Sequence, residues 1–345
     1  MRFFHTIAKV AIKNKKQKNK QAVNSIEYST VFSYFCKVNN YRRVHDILIV
    51  HPPKSMQKKY FNIAGHNFAI TMTDGDIFSI LPNLQPFENE ATDDLLFDII
   101  LDNSIQPSWR GSRVGTFPCP SAKFEVYLQD SGAYQILTAN EYGHPCAFMQ
   151  SDAERKHFTV TTRGSDSDRT FGFNNTLMVI FTMCTAKLGT LLMHSATVEN
   201  NGKGYMFLGA SGQGKSTHSN KWVEYIKGST LINDDNPVIR IAPDGTPFVY
   251  GSPWSGKRPI YMNVHYPIGG MAAIEQDKKN WIRKENIPTA FGIMLCSCST
   301  LKFDKDIHIA ICSTITKVLE RVPVHTLYCL PNEEAARLSS STFGL

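Results

Sequence analysis

Between residues 60 and 162 apolar and polar positions alternate in short runs that break at glycine, asparagine or aspartate, the period-two pattern of half-buried strands. The runs fall at 60–64, 66–73, 77–81, 98–101, 123–129, 133–138 and 157–162, with turns around residues 74–76, Gly132, Asn140 and Gly143. They predict a small strand-rich domain over residues 56–165. The period then changes. Leu177, Ile180, Phe181, Cys184 and Leu188 recur every three or four positions, which predicts a helix over 171–188 stopped by Gly189.

From there strands and helices mix. Strands at 191–198 and 204–208 flank Asn200-Asn201-Gly202, a strong hairpin signal. The helix predicted over 217–227 carries Trp222, Val223 and Ile226, and the strand at 229–233 ends in Asp234-Asp235. A hairpin at 238–241 and 247–250 leads into a glycine-rich loop at 251–258. A strand at 269–275, helices at 287–298 and 307–321, a strand at 323–330 and a helix at 332–338 capped by Asn332 complete the pattern. The whole predicts an α/β (α+β, mixed-sheet) class, with residues 166–345 as a second domain.

The net charge of +7 is unevenly placed. Residues 1–55 hold 11 Lys/Arg against 2 Asp/Glu, a net +9, which leaves −2 for residues 56–345. A nucleic-acid partner is therefore not implied by the basic isoelectric point. The basic segment reads as a disordered tail, or as a stretch upstream of a true start at Met56; its short apolar part and lack of a small-residue cleavage site argue against a secretory signal. No apolar run approaches the ~20 residues that span a bilayer. The eight cysteines include no C-x-x-C pair, and Cys184, Cys312 and Cys329 sit among apolar neighbours. Reduced thiols in a cytoplasmic protein are the expectation. His66, His144 and His157 are isolated and read as surface or hairpin residues.

The chemistry concentrates in Gly209-Ala210-Ser211-Gly212-Gln213-Gly214-Lys215-Ser216-Thr217. It satisfies G-x-x-x-x-G-K-[ST] at every fixed position, after an apolar strand and before a helix. A triphosphate needs converging backbone N–H groups, glycines that allow close approach, and a helix N-terminus behind them. Lys215 would reach the terminal phosphates and Ser216 would hold Mg²⁺. The strand entering the loop is the second arm of an antiparallel hairpin, unlike a simple parallel βαβ lead-in.

His194, the hairpin, this loop, its helix and Asn233-Asp234-Asp235 together resemble the catalytic domain of HPr kinase/phosphorylase, a fold shared with the ATP-dependent phosphoenolpyruvate carboxykinases. The likeness covers about residues 190–242 and suggests a divergent member. It implies ATP and Mg²⁺ as cofactors, Asp234 as general base, Asp235 as a metal or neighbouring carboxylate with Ser216, and His194 as a modulator of the base or its proton exit. The two aspartate roles could be exchanged. Relatives of this fold often assemble as rings, so the resemblance also raises the expectation of a homo-oligomer. Lys257 and Arg258 are candidates for binding the transferred phosphate or an acidic substrate; the alternative is a solvated basic turn over Trp254. The arginine-glycine signature linked to reversal by inorganic phosphate is missing, and Glu275 is a weak candidate for a further magnesium ligand.

The expected activity is phosphoryl transfer to a hydroxyl of a protein, peptide or small molecule. The competing readings are a nucleotide-binding switch or scaffold without turnover, and a carboxykinase-like lyase. The lyase would need a further metal site and an arginine for its oxo-acid, and the chain is short for such an enzyme.

Overall fold

The computed structural model describes residues 56–345 apart from Asp74, Pro120 and Lys257. The basic segment 1–55 lies outside the described residues. The alternation of the first half becomes a sheet made of β1 (Gln57–Ile63), β2 (His66–Met72), β3 (Glu88–Asn89), β4 (Phe97–Leu101), β5 (Ser112–Pro118), β6 (Ala122–Leu128), β7 (Tyr134–Asn140), β8 (Pro145–Ser151) and β9 (His157–Thr162). Their order is β3-β1-β2-β4-β9-β8-β7-β6-β5, parallel at β2/β4 and β4/β9 and otherwise antiparallel.

Three strands of this sheet escaped the sequence pattern: the two-residue β3 is too short to show a period, and β5 and β8 escaped for opposite reasons. β5 is largely exposed and has no buried face to read, whereas β8 is nearly continuous in its burial and does not alternate. The run at 77–81, expected to be a strand, is a helical turn, α1 (Ile77–Ile80). Asp76 caps it: its Oδ1 accepts from the Phe78 amide at 3.2 Å.

The long helix α2 (Asp166–Thr185) begins five residues before the expected start. A capping box sets that start, Ser165 Oγ accepting from the Asp168 amide and Asp168 Oδ2 from the Ser165 amide. The chain leaves the helix through a short 3₁₀ turn and Gly189, whose φ of +72° is the left-handed stop anticipated there. Phe173, Leu177, Ile180 and Phe181 are buried in a core shared by both sheets. At Gly172 the helix comes so close to β8 that an added Cβ would lie 2.7 Å from the Cys146 carbonyl carbon.

The second sheet contains β10 (Thr190–Leu192), β11 (Ser195–Asn200), β12 (Lys203–Leu208), β13 (Thr230–Asp235), β14 (Val238–Ile241), β15 (Pro247–Tyr250), β16 (His265–Gln276), β17 (Trp281–Lys284) and β18 (Val324–Cys329). The helices of this half are α3 (Lys215–Tyr225), α4 (Ile287–Cys296), α5 (Lys305–Leu319) and α6 (Glu333–Thr342). Strands run in the order β10-β14-β15-β16-β12-β11-β13, with β18 also beside β16 and β17 beside β18. β16 is parallel to both β12 and β18, while β11 is antiparallel to β12 and β13. The protein is thus mixed α/β with two large mixed sheets.

One face of the second sheet joins the core shared with α2 and the first sheet. The other is covered by α3 and α6 through Val198, Phe207, Trp222, Leu327 and Ala335. Trp222 is fully buried, but Val223 on the same helix is 45% exposed, so only part of the expected apolar stripe faces inward. Polar contacts also join the two sheets: His66 Nε2 lies 2.8 Å from Thr190 Oγ1, and Arg240 Nη1 donates to the Ala64 carbonyl at 2.7 Å. His66, expected at a surface or in a hairpin, closes the β1–β2 hairpin opposite Ile63 and is buried there. His144 and His157 are exposed as anticipated. Among the described residues, no helix is long and apolar enough to cross a membrane.

Candidate functional site

The site is assembled by strand register. Asn201 and Gly202, at φ +50° and +73°, form the two-residue turn of the predicted hairpin, closed by the Asn200–Lys203 pair. That register sets Ser195 opposite Leu208 on β12 and opposite Asp235 on β13. The start of β11 and the ends of β12 and β13 therefore lie at one level. Past β12 the chain enters residues 209–214, and the preceding residue of β11 is His194. The expected single strand at 191–198 is broken there. β10 pairs with β14, while the Met193 amide bonds the Pro237 carbonyl and the His194 amide the Ser297 carbonyl.

The loop has the backbone its motif requires. Gly209, Gly212 and Gly214 have φ of +139°, +86° and +106°. Gln213 Oε1 accepts from the Ala210 amide and braces the loop from within, while its Nε2 lies 3.3 Å from Glu275 Oε1 on β16. Glu275 thus stands beside the loop through Gln213.

Lys215, the first residue of α3, is 8% exposed. Its Nζ donates to the Gly209 and Ala210 carbonyls at 2.9 and 3.0 Å and lies 2.9 Å from His194 Nε2. Burial holds its pKa below the ordinary lysine value, while Asp235 and Asp234 pull it upward. On the other side of the imidazole, His194 Nδ1 lies 3.1 Å from Asp235 Oδ1. One tautomer satisfies both contacts, with Nδ1–H donating to the carboxylate and the Nε2 lone pair accepting from the ammonium.

The two aspartates have separate surroundings, as their adjacent places on a strand require. The Asp234 side chain is 5% exposed; its Oδ2 accepts from Arg258 Nε at 2.9 Å and lies 2.7 Å from Nη2 in the same ion pair. Arg258 Nη1 also reaches Asn220 Oδ1 on α3. The Asp235 side chain is 33% exposed and, besides His194, accepts from Asn236 Nδ2 at 2.7 Å. The loop at 251–258 closes over both aspartates: the Gly256 amide donates to the Asp234 carbonyl, and Ser255 bridges to Asp235. A Cβ on Gly256 would lie 2.9 Å from that carbonyl oxygen. Asn233 anchors the approach, its Nδ2 donating to Ser252 Oγ and the Trp254 carbonyl, both at 3.1 Å.

His194, Lys215, Asp234, Asp235 and Arg258 are thus brought together, with Ser211, Gly212, Gln213, Ser216 and Thr217 on the adjoining loop and helix start. Lys257 lies outside the described residues. Trp254 is buried beneath the loop as expected, yet Arg258 is an ion-pair partner of Asp234 rather than part of a solvated turn. Asn220 and Ser252 escaped the sequence reading, and Asn233 entered it only as the residue before the paired aspartates, without its anchoring role. Each acts by holding another group, and no spacing rule marks such a role.

The donor set can be tested for fit to Mg²⁺. Among the described residues, no three His, Cys, Asp or Glu side chains converge on a metal position. Mg²⁺ does not require them, since it commonly takes one or two carboxylates and completes its shell with phosphates and water. Ser216 with Asp235 fits that pattern. No protein-family model matches this chain, and no curated protein matches it.

Proposed function

We propose that the protein is an ATP- and Mg²⁺-dependent phosphotransferase, built on an HPr-kinase-like phosphate-loop domain, that phosphorylates a hydroxyl of a protein, peptide or small molecule. The observation that carries this reading is the chain of contacts Lys215–His194–Asp235 at the mouth of the loop, with Asp234 beside it. Phosphoryl transfer asks a protein for positioning, charge neutralisation and a carboxylate to take the nucleophile's proton. All three kinds of group lie within one cluster.

In this reading the amides of the loop and the first turn of α3 bind the phosphates. Lys215 exchanges its two carbonyl partners and His194 for phosphate oxygens. Bound Mg²⁺, held by Ser216 and Asp235, would neutralise phosphate charge. Asp234 is the general base, and Arg258 supplies a cation next to the transferred group. A second assignment has its own support. The hydrogen bond from His194 gives Asp235 a route for a proton, which suits Asp235 to the role of base.

The reading is tested with the full chain, γ-labelled ATP and Mg²⁺, in buffer and in extract of its own cell. Label on one discrete acceptor is expected. Nucleotide binding without transfer in either setting would replace the kinase with a nucleotide-binding switch or scaffold.

A further inference from the structure

In the second sheet β12 lies between β11 and β16, so the phosphate loop has two sides. His194, Asp234 and Asp235 occupy the β11/β13 side. On the β16/β18 side lies a pocket of about 280 Å³ that shares Gln213, Gly214 and Thr217 with the loop and is walled by Ile274, Asp277 and Leu330. We propose that this pocket receives the amino-bearing purine base of the nucleotide whose phosphates the loop holds. The proposal rests on the reading of the loop as a phosphate site.

The first argument is direction. In this kind of loop the lysine serves the outer phosphates, and Lys215 faces His194 and the aspartates. The nucleoside end must leave the loop on the opposite side, where the pocket adjoins it through Gln213, Gly214 and Thr217. The second argument is character. Apolar walls with a few polar groups suit a ring that buries its faces and reads out its edge.

The third argument is an unpaired acceptor. His218 is 2% exposed and lines the same pocket. Its Nε2 lies 3.0 Å from Ser339 Oγ, which also accepts from Trp222 Nε1 at 2.8 Å. The single Ser339 hydroxyl hydrogen is directed to the Ala335 and Ala336 carbonyls. Ser339 therefore accepts from His218, the proton sits on Nε2, and Nδ1 is left as an acceptor. That Nδ1 is buried without a hydrogen-bond partner. Asp277 adds a carboxylate, itself held by the Trp281 indole N–H at 2.9 Å. These two acceptors, among lining residues that include Gln213, Thr217 and Gln276, favour a base edge that carries N–H donors. The amino groups of adenine and guanine fit them, and the carbonyl-flanked edge of uracil does not.

The test compares Mg²⁺ complexes of ATP, GTP, UTP and inorganic tripolyphosphate by titration calorimetry on the full chain and on Leu330→Arg. Leu330 is 39% exposed, so the substitution fills the pocket from the surface and spares the core. Tripolyphosphate is expected to bind both proteins equally, which also shows that the variant is folded. ATP or GTP should bind the unaltered chain about tenfold or more tighter than tripolyphosphate and UTP, and Leu330→Arg should erase that advantage. Undiminished ATP and GTP affinity in Leu330→Arg overturns the pocket while leaving the phosphate site intact. UTP equal to both purines overturns the purine assignment. Absence of tripolyphosphate binding to the unaltered chain removes the phosphate site and the pocket with it.

Discussion

His194 Nδ1 stands 3.1 Å from Asp235 Oδ1, across a strand boundary that puts these two residues at the same level of the sheet. The contact depends on the break after β10: His194 lies outside both flanking strands, and its amide is taken up by the Ser297 carbonyl. Its ring can then face Asp235 on one side and Lys215 on the other. A histidine placed this way couples the state of the carboxylate to that of the loop lysine.

Lys215→Ala removes the ammonium that bridges the loop carbonyls and His194. Nucleotide affinity is expected to fall by about 10–100-fold, the usual worth of a charge-assisted contact. Under the proposed phosphoryl transfer, turnover should fall by a further ~10²–10³, because the same group would neutralise the charge that develops. Calorimetry and a γ-label assay read the two effects separately. A variant with normal transfer would place the chemistry elsewhere.

Asp234→Asn and Asp235→Asn separate the two carboxylate roles. With Asp234 as base, Asp234→Asn retains Mg²⁺–nucleotide binding and loses transfer by ~10²–10⁴. Asp235→Asn then weakens Mg²⁺-dependent binding as well. An unimpaired rate in Asp234→Asn, with the loss appearing in Asp235→Asn at full nucleotide affinity, would hand the base to the His194-bonded carboxylate.

Acid should destabilise the fold through His66 and His218. Burial, with Arg240 adding to it, lowers His66 from 6.5 to about 3, and burial lowers His218 to about 4. Below pH 6.5 the unfolded chain binds protons that the folded chain refuses, so stability is fully present above that pH and falls as pH drops. In the steep part of the window, near pH 5, each histidine contributes a loss of about 1.4 kcal/mol per pH unit. Urea unfolding at pH 7 and pH 5 measures it. His66→Gln should flatten the slope, and an unchanged slope would show that His66 is not the titrating group.

Gly172→Ala tests how closely α2 packs on β8. Alanine favours a helix interior, but here its methyl group would meet a strand backbone that cannot turn aside. A net fall in Tm of roughly 2–5 °C is expected by calorimetric scan. A rise would mean that the helix and strand stand further apart.

Several features were legible locally because they depend on neighbours in the chain. Asn201-Gly202 reads as a turn since both positions need positive φ, and the phosphate loop reads as a unit since its glycines, lysine and hydroxyl are fixed by spacing. The stop at Gly189 and the cap at Asn332 belong to the same class. Where the period was ambiguous, as at 77–81, a single side-chain cap outweighed an apolar run too short to define a strand. The exposed edge strand β5 carried no period at all.

The motif named Lys215, the family resemblance pointed to His194, Asp234 and Asp235, and the basic loop offered Arg258, but none of these could say which residues touch. Arg258 meets Asp234, and His194 meets Asp235 and Lys215, only because β11, β12 and β13 share one register and the loop at 251–258 folds back over their ends. The pocket beside Gln213 and Thr217 is likewise made by β16, β18 and their following turns, more than 50 residues further along. Local conformational preference acts between near neighbours and so is written in the order of residues. Contacts between distant strands depend on how whole sheets pair and pack, and they exist only once the chain has folded.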